Sequence, residues 1–235
     1  MTKIAVINAN CGVTDEEIQK WMQAVATQVA NEFFDAWAIA GVDMRFIAAG
    51  DKPAPDEWWM TCLPTSDVAD ALGYHDLTPT GMPLGKVFVE TTLKDGMSAS
   101  VCFDHEMLEL LIDPYIQLAA QAKDGRLYSY EVCDAVEDDK CGYLGVNGVL
   151  LSDFVTPAWF CDTVPMFGAK FSFNAQVRGP FALAPGGYIS VFNNGTWSQI
   201  NADLNPRARN RAKVGSRRER RAAGRNVWRL STKVF

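Results

Sequence analysis

The chain has 235 residues, of which 48% are hydrophobic and 21% charged, and its formal net charge is −6. This composition excludes a disordered, collagen-like or coiled-coil chain, and the length suffices for one large domain or two small ones. The charge is unevenly spread: residues 206–235 carry 11 Lys and Arg but only Glu219, whereas residues 1–205 carry the other 27 acidic residues. Residues 1–205 are therefore considered as an acidic body, and residues 206–235 as a separate basic carboxy-terminal arm.

Neither a secretion signal nor a membrane span is expected. The amino terminus lacks a charged segment followed by a long apolar run, and no run approaches the ~18 apolar residues that span a bilayer. The six cysteines are scattered through the chain. Free thiols in a reducing cytosol are the expected state, with one disulfide, such as Cys133–Cys141, as the alternative.

The first 48 residues predict a strand–helix–strand unit. Residues 3–8 form a short apolar strand, and Thr14 with Glu17 predicts a capping box at the start of a long amphipathic helix. Gly41 ends that helix, and residues 42–48 read as a second strand.

The remaining elements follow in chain order. We predict a strand at 58–63, a short helix at 65–72, a turn-rich stretch at 73–83, a strand at 86–91 and a helix at 98–112 ended by Pro114. The chain then becomes rich in strands and loops. The Asn193-Asn194-Gly195 turn predicts a hairpin between strands 188–192 and 196–200.

The helix at 98–112 carries the residues with the clearest chemistry. His105 and Glu109 are four residues apart, so they share one helical face and can ligate one cation. Glu106 lies beside them, as does the general base of the H-E-x-x-H motif. The pentapeptide alone also fits a solvated acidic face. The helix is apolar almost all round, however, and a buried carboxylate must be paired or bind a metal.

The order of elements over residues 1–140 resembles that of the zincin metallopeptidases, in which the metal-binding helix follows a long first helix and several strands. The chain is similar in particular to the small zincin-like proteins of tailed bacteriophages. Those proteins read H-E-x-x-E…D-P followed by E-V-C-D-x-V-E, and residues 105–114 and 131–137 match these patterns. The resemblance implies an α+β, zincin-like domain at 1–145, with a mixed sheet and two long helices. A β-rich extension at 146–205 and a basic arm at 206–235 would follow it.

The resemblance also implies a third ligand after the helix. Glu131 is the first choice, with Asp134 as a neighbouring residue that would orient the ligand without binding the ion itself. Asp113 is the second choice, and Asp138 and Asp139 are the third. A plain surface loop or a calcium-type loop is the alternative interpretation of this acidic run.

The predicted metal ligands are thus His105, Glu109 and Glu131, with Glu106 as the catalytic base. One histidine and two carboxylates neutralise a divalent ion, so Zn²⁺ is expected and Mn²⁺ or Ca²⁺ are alternatives. A neutral site is a weaker Lewis acid, which makes metal binding better supported than peptidase activity. His75 is expected to form hydrogen bonds in a loop. The candidates for stabilising an oxyanion are Tyr128, Tyr130 and Tyr143.

Two functions follow from these expectations. The first is a metal-binding zincin-like protein of a tailed phage, made in the host cytoplasm and assembled into the virion, with zinc-dependent cleavage of a peptide substrate. The second is a non-catalytic virion component that keeps a degenerate zincin fold. In both, the arm at 206–235 would contact other virion proteins or copies of the chain. A third hypothesis, nucleic-acid binding through the arm, is opposed by the acidic body.

Overall fold

A five-stranded mixed sheet forms the amino-terminal half of the computed structural model, which describes residues 1–48, 51–67 and 71–202. Its strands are β1 (Thr2–Asn8), β2 (Val42–Ile47), β3 (Trp58–Leu63), β4 (Gly73–Leu77) and β5 (Pro83–Phe88). The spatial order is β2-β1-β3-β5-β4. Neighbouring strands are parallel except for β4, which runs antiparallel to β5 at the edge of the sheet.

The described residues of this half form four α-helices: α1 (Asp15–Gln28), α2 (Phe34–Trp37), α3 (Val89–Lys94) and α4 (Ala99–Ile112). Thr14 caps α1 by accepting a hydrogen bond from the Glu17 amide. Only half of the predicted capping box forms, because the Glu17 carboxylate accepts from the Trp21 indole N–H at 3.1 Å. A π-helical turn at Val29–Phe33 joins α1 to α2, so the predicted long helix is continuous but wider at this point.

Helix α4 lies at the centre of the molecule. It contacts β4 and β5 on one side and α1 on another, and twelve of its fourteen residues are buried. Its amino terminus is fixed by the Asp139 carboxylate, which accepts a hydrogen bond from the Ser98 amide at 2.7 Å. The helix therefore brings its charged side chains into the interior, as its composition predicts.

The rest of the described chain is β-rich. Strands β6 (Ala119–Gln121), β7 (Leu127–Ser129), β10 (Tyr188–Asn193) and β11 (Thr196–Asn201) form an antiparallel sheet, and β8 (Tyr143–Leu144) pairs with β9 (Leu150–Leu151). The β10–β11 hairpin confirms the predicted turn, in which Asn194 and Gly195 both have positive φ. Because β7 pairs with β10, this sheet joins segments on both sides of residue 145.

Three predicted elements differ from the structure. Residues 73–83 were expected to be rich in turns, but they contain β4. The next strand, β5, begins at Pro83 instead of residue 86 and ends at Phe88, directly before α3. The two strands form a hairpin closed by the Thr78 amide, which donates to the Met82 carbonyl at 2.7 Å, with Gly81 at φ 88°. The predicted helix at 65–72 lies partly outside the described residues, and its described part is not helical. The basic arm at 206–235 lies outside them entirely.

The mixed α+β class is as predicted. All six cysteines are free thiols. Among the described residues, no helix combines the length and apolar character needed to cross a bilayer.

Candidate metal centre

Helix α4 and strand β4 meet at a buried cluster of histidine and carboxylate side chains. His105, Glu106 and Glu109 come from α4, and His75 comes from β4. All four side chains are buried, and the most exposed of them, His105, retains 5% of its surface. Alternation along β4 explains how His75 enters the site, because side chains on a strand point to opposite faces in turn. Tyr74 and His75 therefore lie on different faces of the sheet.

The imidazole of His75 lies among three carboxylates. Its Nδ1 atom is 3.8 Å from Glu106 Oε2 and 3.7 Å from Glu109 Oε2. Its Nε2 atom is 3.6 Å from Glu131 Oε2. Glu131 is 1% exposed and enters from the segment that follows β7. His75, Glu109 and Glu131 together form a group that could hold a metal ion.

The second imidazole, that of His105, lies on the other side of Glu109. Its Nε2 atom is 3.3 Å from Glu109 Oε1 and 3.3 Å from Asp134 Oδ1. Asp134 begins a short 3₁₀ helix, Asp134–Val136, which places its buried carboxylate beside α4. The backbone N–H of Cys133 donates to Glu109 Oε1 at 3.2 Å. His105, Glu109 and the Cys133 thiol form a second group that could hold a metal ion.

Burial and the charges of this cluster shift the pKa values of His105, Cys133 and Asp104. Burial lowers the pKa of His105, but Glu109 and Asp134 beside it outweigh burial and raise that pKa well above its ordinary value. The pKa of the Cys133 thiol is raised well above its ordinary value, first by burial and then by the charge of Glu109. Burial also raises the pKa of Asp104 to about 7, although that carboxylate accepts hydrogen bonds from Gln28 and from the Ser152 amide.

The spacing of Glu109 and each histidine is compatible with a bound ion. Four ligand atoms held tetrahedrally at about 2.0–2.1 Å from an ion are roughly 3.4 Å from one another. Glu109 Oε1 is 3.3 Å from His105 Nε2, and Glu109 Oε2 is 3.7 Å from His75 Nδ1. Glu131 contacts the other nitrogen of His75, Nε2, at 3.6 Å. Glu106, Glu109, Glu131 and Asp134 carry a formal charge of −4 in this interior. A cation offsets the cost of burying them, and the one buried Lys or Arg in the described part of the chain, Lys86, pairs with Asp67.

The four residues predicted for the site, His105, Glu106, Glu109 and Glu131, all lie in this cluster, but the three predicted ligands do not form one group. Glu131 belongs to the group of His75 and Glu109, and His105 to the group of Glu109 and Cys133. The other acidic candidates, Asp113, Asp138 and Asp139, accept hydrogen bonds from backbone amides. Asp113 accepts hydrogen bonds from the Gln117 and Leu118 amides just after α4. Asp138 accepts from the Lys140 amide, and Asp139 binds the amino terminus of α4.

The three tyrosines predicted as oxyanion donors are engaged in packing or in other hydrogen bonds. Tyr128 stacks on Phe181 and Tyr130 on Phe160, with ring centroids 4.0 and 4.1 Å apart. The Tyr143 hydroxyl accepts a hydrogen bond from Gln28 at 2.9 Å.

The sequence reasoning predicted neither Cys133 nor His75 as a candidate ligand. For His75 the available signal was the turn-forming Thr78-Pro79-Thr80-Gly81, which separates two short segments, although neither segment alternates in polarity. Reading this pattern as a hairpin would have placed His75 on a strand next to the strand that precedes α4. Asp134 was predicted only as a supporting residue, and here its carboxylate contacts His105 directly.

The contact between β4 and α4 is close because Gly73 lacks a side chain. A Cβ atom at residue 73 would lie 2.8 Å from Glu106 Oε1 and Cγ and 2.9 Å from Cys102 Sγ. The backbone of β4 therefore covers the Glu106 side chain directly. A cleft of about 410 Å³ lies on the opposite face of the sheet, where Trp59 and Lys86 help to line it.

We expect Gly73→Ala to lower the free energy of unfolding by about 1–3 kcal/mol and to weaken metal binding, because Glu106 must move away from the new methyl group. Urea denaturation and zinc titration measure the two effects. Gly179→Ala is the matched control, since a Cβ atom there meets nothing within 4 Å and the residue has no positive φ. Equal effects of the two substitutions would contradict this close contact.

Comparisons with known proteins give no relative for this chain. No protein-family model matches it, and no curated protein or solved structure does so either.

Proposed function

We propose that this chain is a metal-binding protein whose buried centre ties together helix α4, strand β4 and the segment at residues 131–134. The observation that carries the proposal is the convergence of His75, His105, Glu109 and Glu131, all buried, from three parts of the chain that are distant in sequence. Such a cluster of acids is costly to bury without a cation, and the separations of Glu109 from the two histidines are compatible with a bound ion.

The donor atoms favour a divalent ion of intermediate hardness. Imidazole suits zinc and other transition metals, and carboxylates also accept harder ions such as Mn²⁺. We propose Zn²⁺ as the resident ion. Its ligands come from the predicted set of His105, Glu109 and Glu131 and from His75, and Glu109 is the residue that both histidines contact. Calcium is less well matched, because it takes six to eight oxygen ligands and two imidazoles occupy part of this centre.

The zincin-like character of the fold is part of the same proposal. Three features support it: α1 is long, α4 comes soon after the last strand of the mixed sheet, and Glu131, which is downstream, shares a candidate ligand group with Glu109 of α4. Assembly into the virion of a tailed phage is proposed on the sequence resemblance at residues 105–114 and 131–137 alone. The arm at 206–235, through which the chain would contact its partners, lies outside the described residues.

Of the two roles considered, the geometry favours the non-catalytic one. A peptidase must bring a peptide carbonyl to the metal and its general base, yet Glu106 is 3% exposed and lies against the backbone of Gly73. His75 occupies the space between Glu106, Glu109 and Glu131, where a substrate carbonyl would have to enter. We therefore propose that the ion stabilises the folded chain and that the Glu106 carboxylate contributes negative charge that balances the charge of the ion.

Metal analysis of the full chain tests the proposal. The protein is loaded with Zn²⁺ under reducing conditions, desalted and measured by plasma mass spectrometry. We expect bound zinc in the wild type and a reduced zinc content in His105→Ala. Wild-type protein without zinc, after desalting at neutral pH, would overturn the proposed metal centre.

A cleavage assay separates the two roles. We expect wild type, Glu106→Gln and the surface control Glu16→Gln to give the same background cleavage of casein, because a buried Glu106 cannot serve a peptide substrate. Activity that is lost in Glu106→Gln and kept in Glu16→Gln would instead establish the peptidase. A loss of about a hundredfold or more is what removal of a general base produces.

A further inference from the structure

The two carboxylate oxygens of Glu109 face different histidines. Oε1 lies 3.3 Å from His105 Nε2, and Oε2 lies 3.7 Å from His75 Nδ1. Glu109 is completely buried, so both oxygens face the protein interior. A carboxylate placed in this way can bind one ion with each oxygen.

Two ligand groups meet at this residue. The first consists of His75, Glu109 and Glu131, and the second of His105, Glu109 and Cys133. In each group the three ligand atoms lie within 4.8 Å of one another. The groups share Glu109 and nothing else, and each supplies its own imidazole.

The charges of the cluster are compatible with two ions. Glu106, Glu109, Glu131 and Asp134 bring −4, all within the contacts of the two histidines, and a Cys133 thiolate brings a further −1. Two divalent ions bound with both imidazoles neutral then leave −1. One divalent ion beside a protonated histidine and a neutral Cys133 thiol leaves the same charge, so the two ligand groups that meet at Glu109, and not the charge, indicate the number of ions.

We infer that the centre is dinuclear, with Glu109 bridging two divalent ions. The first ion takes His75, Glu109 and Glu131, which is a nitrogen and oxygen set suited to Zn²⁺ or Mn²⁺. The second takes His105, Glu109 and the Cys133 thiolate, a softer set that selects Zn²⁺. The Cys133 thiol loses its proton to solvent when the second ion binds. This inference rests on the proposed metal-binding function and specifies its stoichiometry.

Zinc stoichiometry tests the inference in the full-length chain. We expect two zinc ions per wild-type chain, one in His75→Gln, one in His105→Gln, and affinity weakened at least about tenfold at both sites in Glu109→Gln. Circular dichroism checks that each variant is folded. One ion in the folded wild type would overturn the dinuclear centre and leave the proposed function standing, whereas no ion would overturn both.

Cobalt substitution locates the second ion independently of the count. A thiolate ligand gives Co²⁺ a charge-transfer absorption, which we expect in the wild type and in His75→Gln. Cys133→Ser should lose this absorption, and Cys161→Ser, which removes a partly exposed thiol, should retain it. A spectrum without the thiolate absorption in the wild type, or one unchanged in Cys133→Ser, would overturn the assignment of Cys133.

Discussion

Glu109→Ala is expected to abolish zinc binding and to lower the free energy of unfolding, measured with saturating zinc, by about 3–5 kcal/mol. The carboxylate contacts both histidines and accepts a hydrogen bond from the Cys133 amide, so its removal breaks three interactions in a completely buried place. The remaining acids would then be buried without the ion that offsets their charge. Urea denaturation and metal analysis of the same sample measure both effects.

Glu16→Ala is the control for this experiment. Glu16 is exposed in the first turn of α1, so its loss should cost less than about 1 kcal/mol and leave the zinc content unchanged. A Glu109→Ala protein that binds as much zinc as the wild type would contradict the placement of the metal centre. A stability loss without any loss of zinc would assign Glu109 a packing role only.

Removal of the metal is expected to have the second largest effect on the stability of the protein. An ion that binds only the folded chain, at a free concentration a thousand times its dissociation constant, contributes about 4 kcal/mol of stability. For a chain of this size, 1 kcal/mol shifts the melting temperature by about 2–4 °C. We therefore expect an excess of chelator to lower the melting temperature of zinc-loaded protein by roughly 10 °C.

Glu109→Gln provides the comparison for the chelator experiment. Its melting temperature should be lower than that of the zinc-loaded wild type even without chelator, and it should change by less than a few degrees when chelator is added. Calorimetry with and without chelator measures this difference. Equal shifts in wild type and Glu109→Gln, or no shift in either, would show that zinc does not stabilise the fold through this centre.

The sequence predicted those parts of the site that depend on local pattern. The spacing of His105 and Glu109 fixes their common face once the segment is helical, and the apolar residues around them predict burial. Both expectations hold in α4, whose bounds differ from the predicted ones by a single residue. The turn at Asn193-Asn194-Gly195 is equally local, because its backbone requires residues that tolerate positive φ.

The parts that were missed depend on contacts between distant segments. Strand β4 is five residues long at the sheet edge, and its pairing with β5 decides that His75 faces α4. No helical or strand periodicity of useful length reveals such a short element. Likewise, the contact of Asp134 with His105 depends on where the chain turns after β7. The π-helical turn at Val29–Phe33 falls within a continuous apolar stripe and leaves no sequence signal of its own.

Anomalous diffraction from crystals of the zinc-loaded chain, recorded on both sides of the zinc absorption edge, tests the metal centre most directly. We predict anomalous density beside Glu109, between the imidazoles of His75 and His105, and two peaks if Glu109 bridges two ions. Zinc density found only at surface residues, with the buried carboxylates joined solely by hydrogen bonds to the two histidines, would contradict the metal centre.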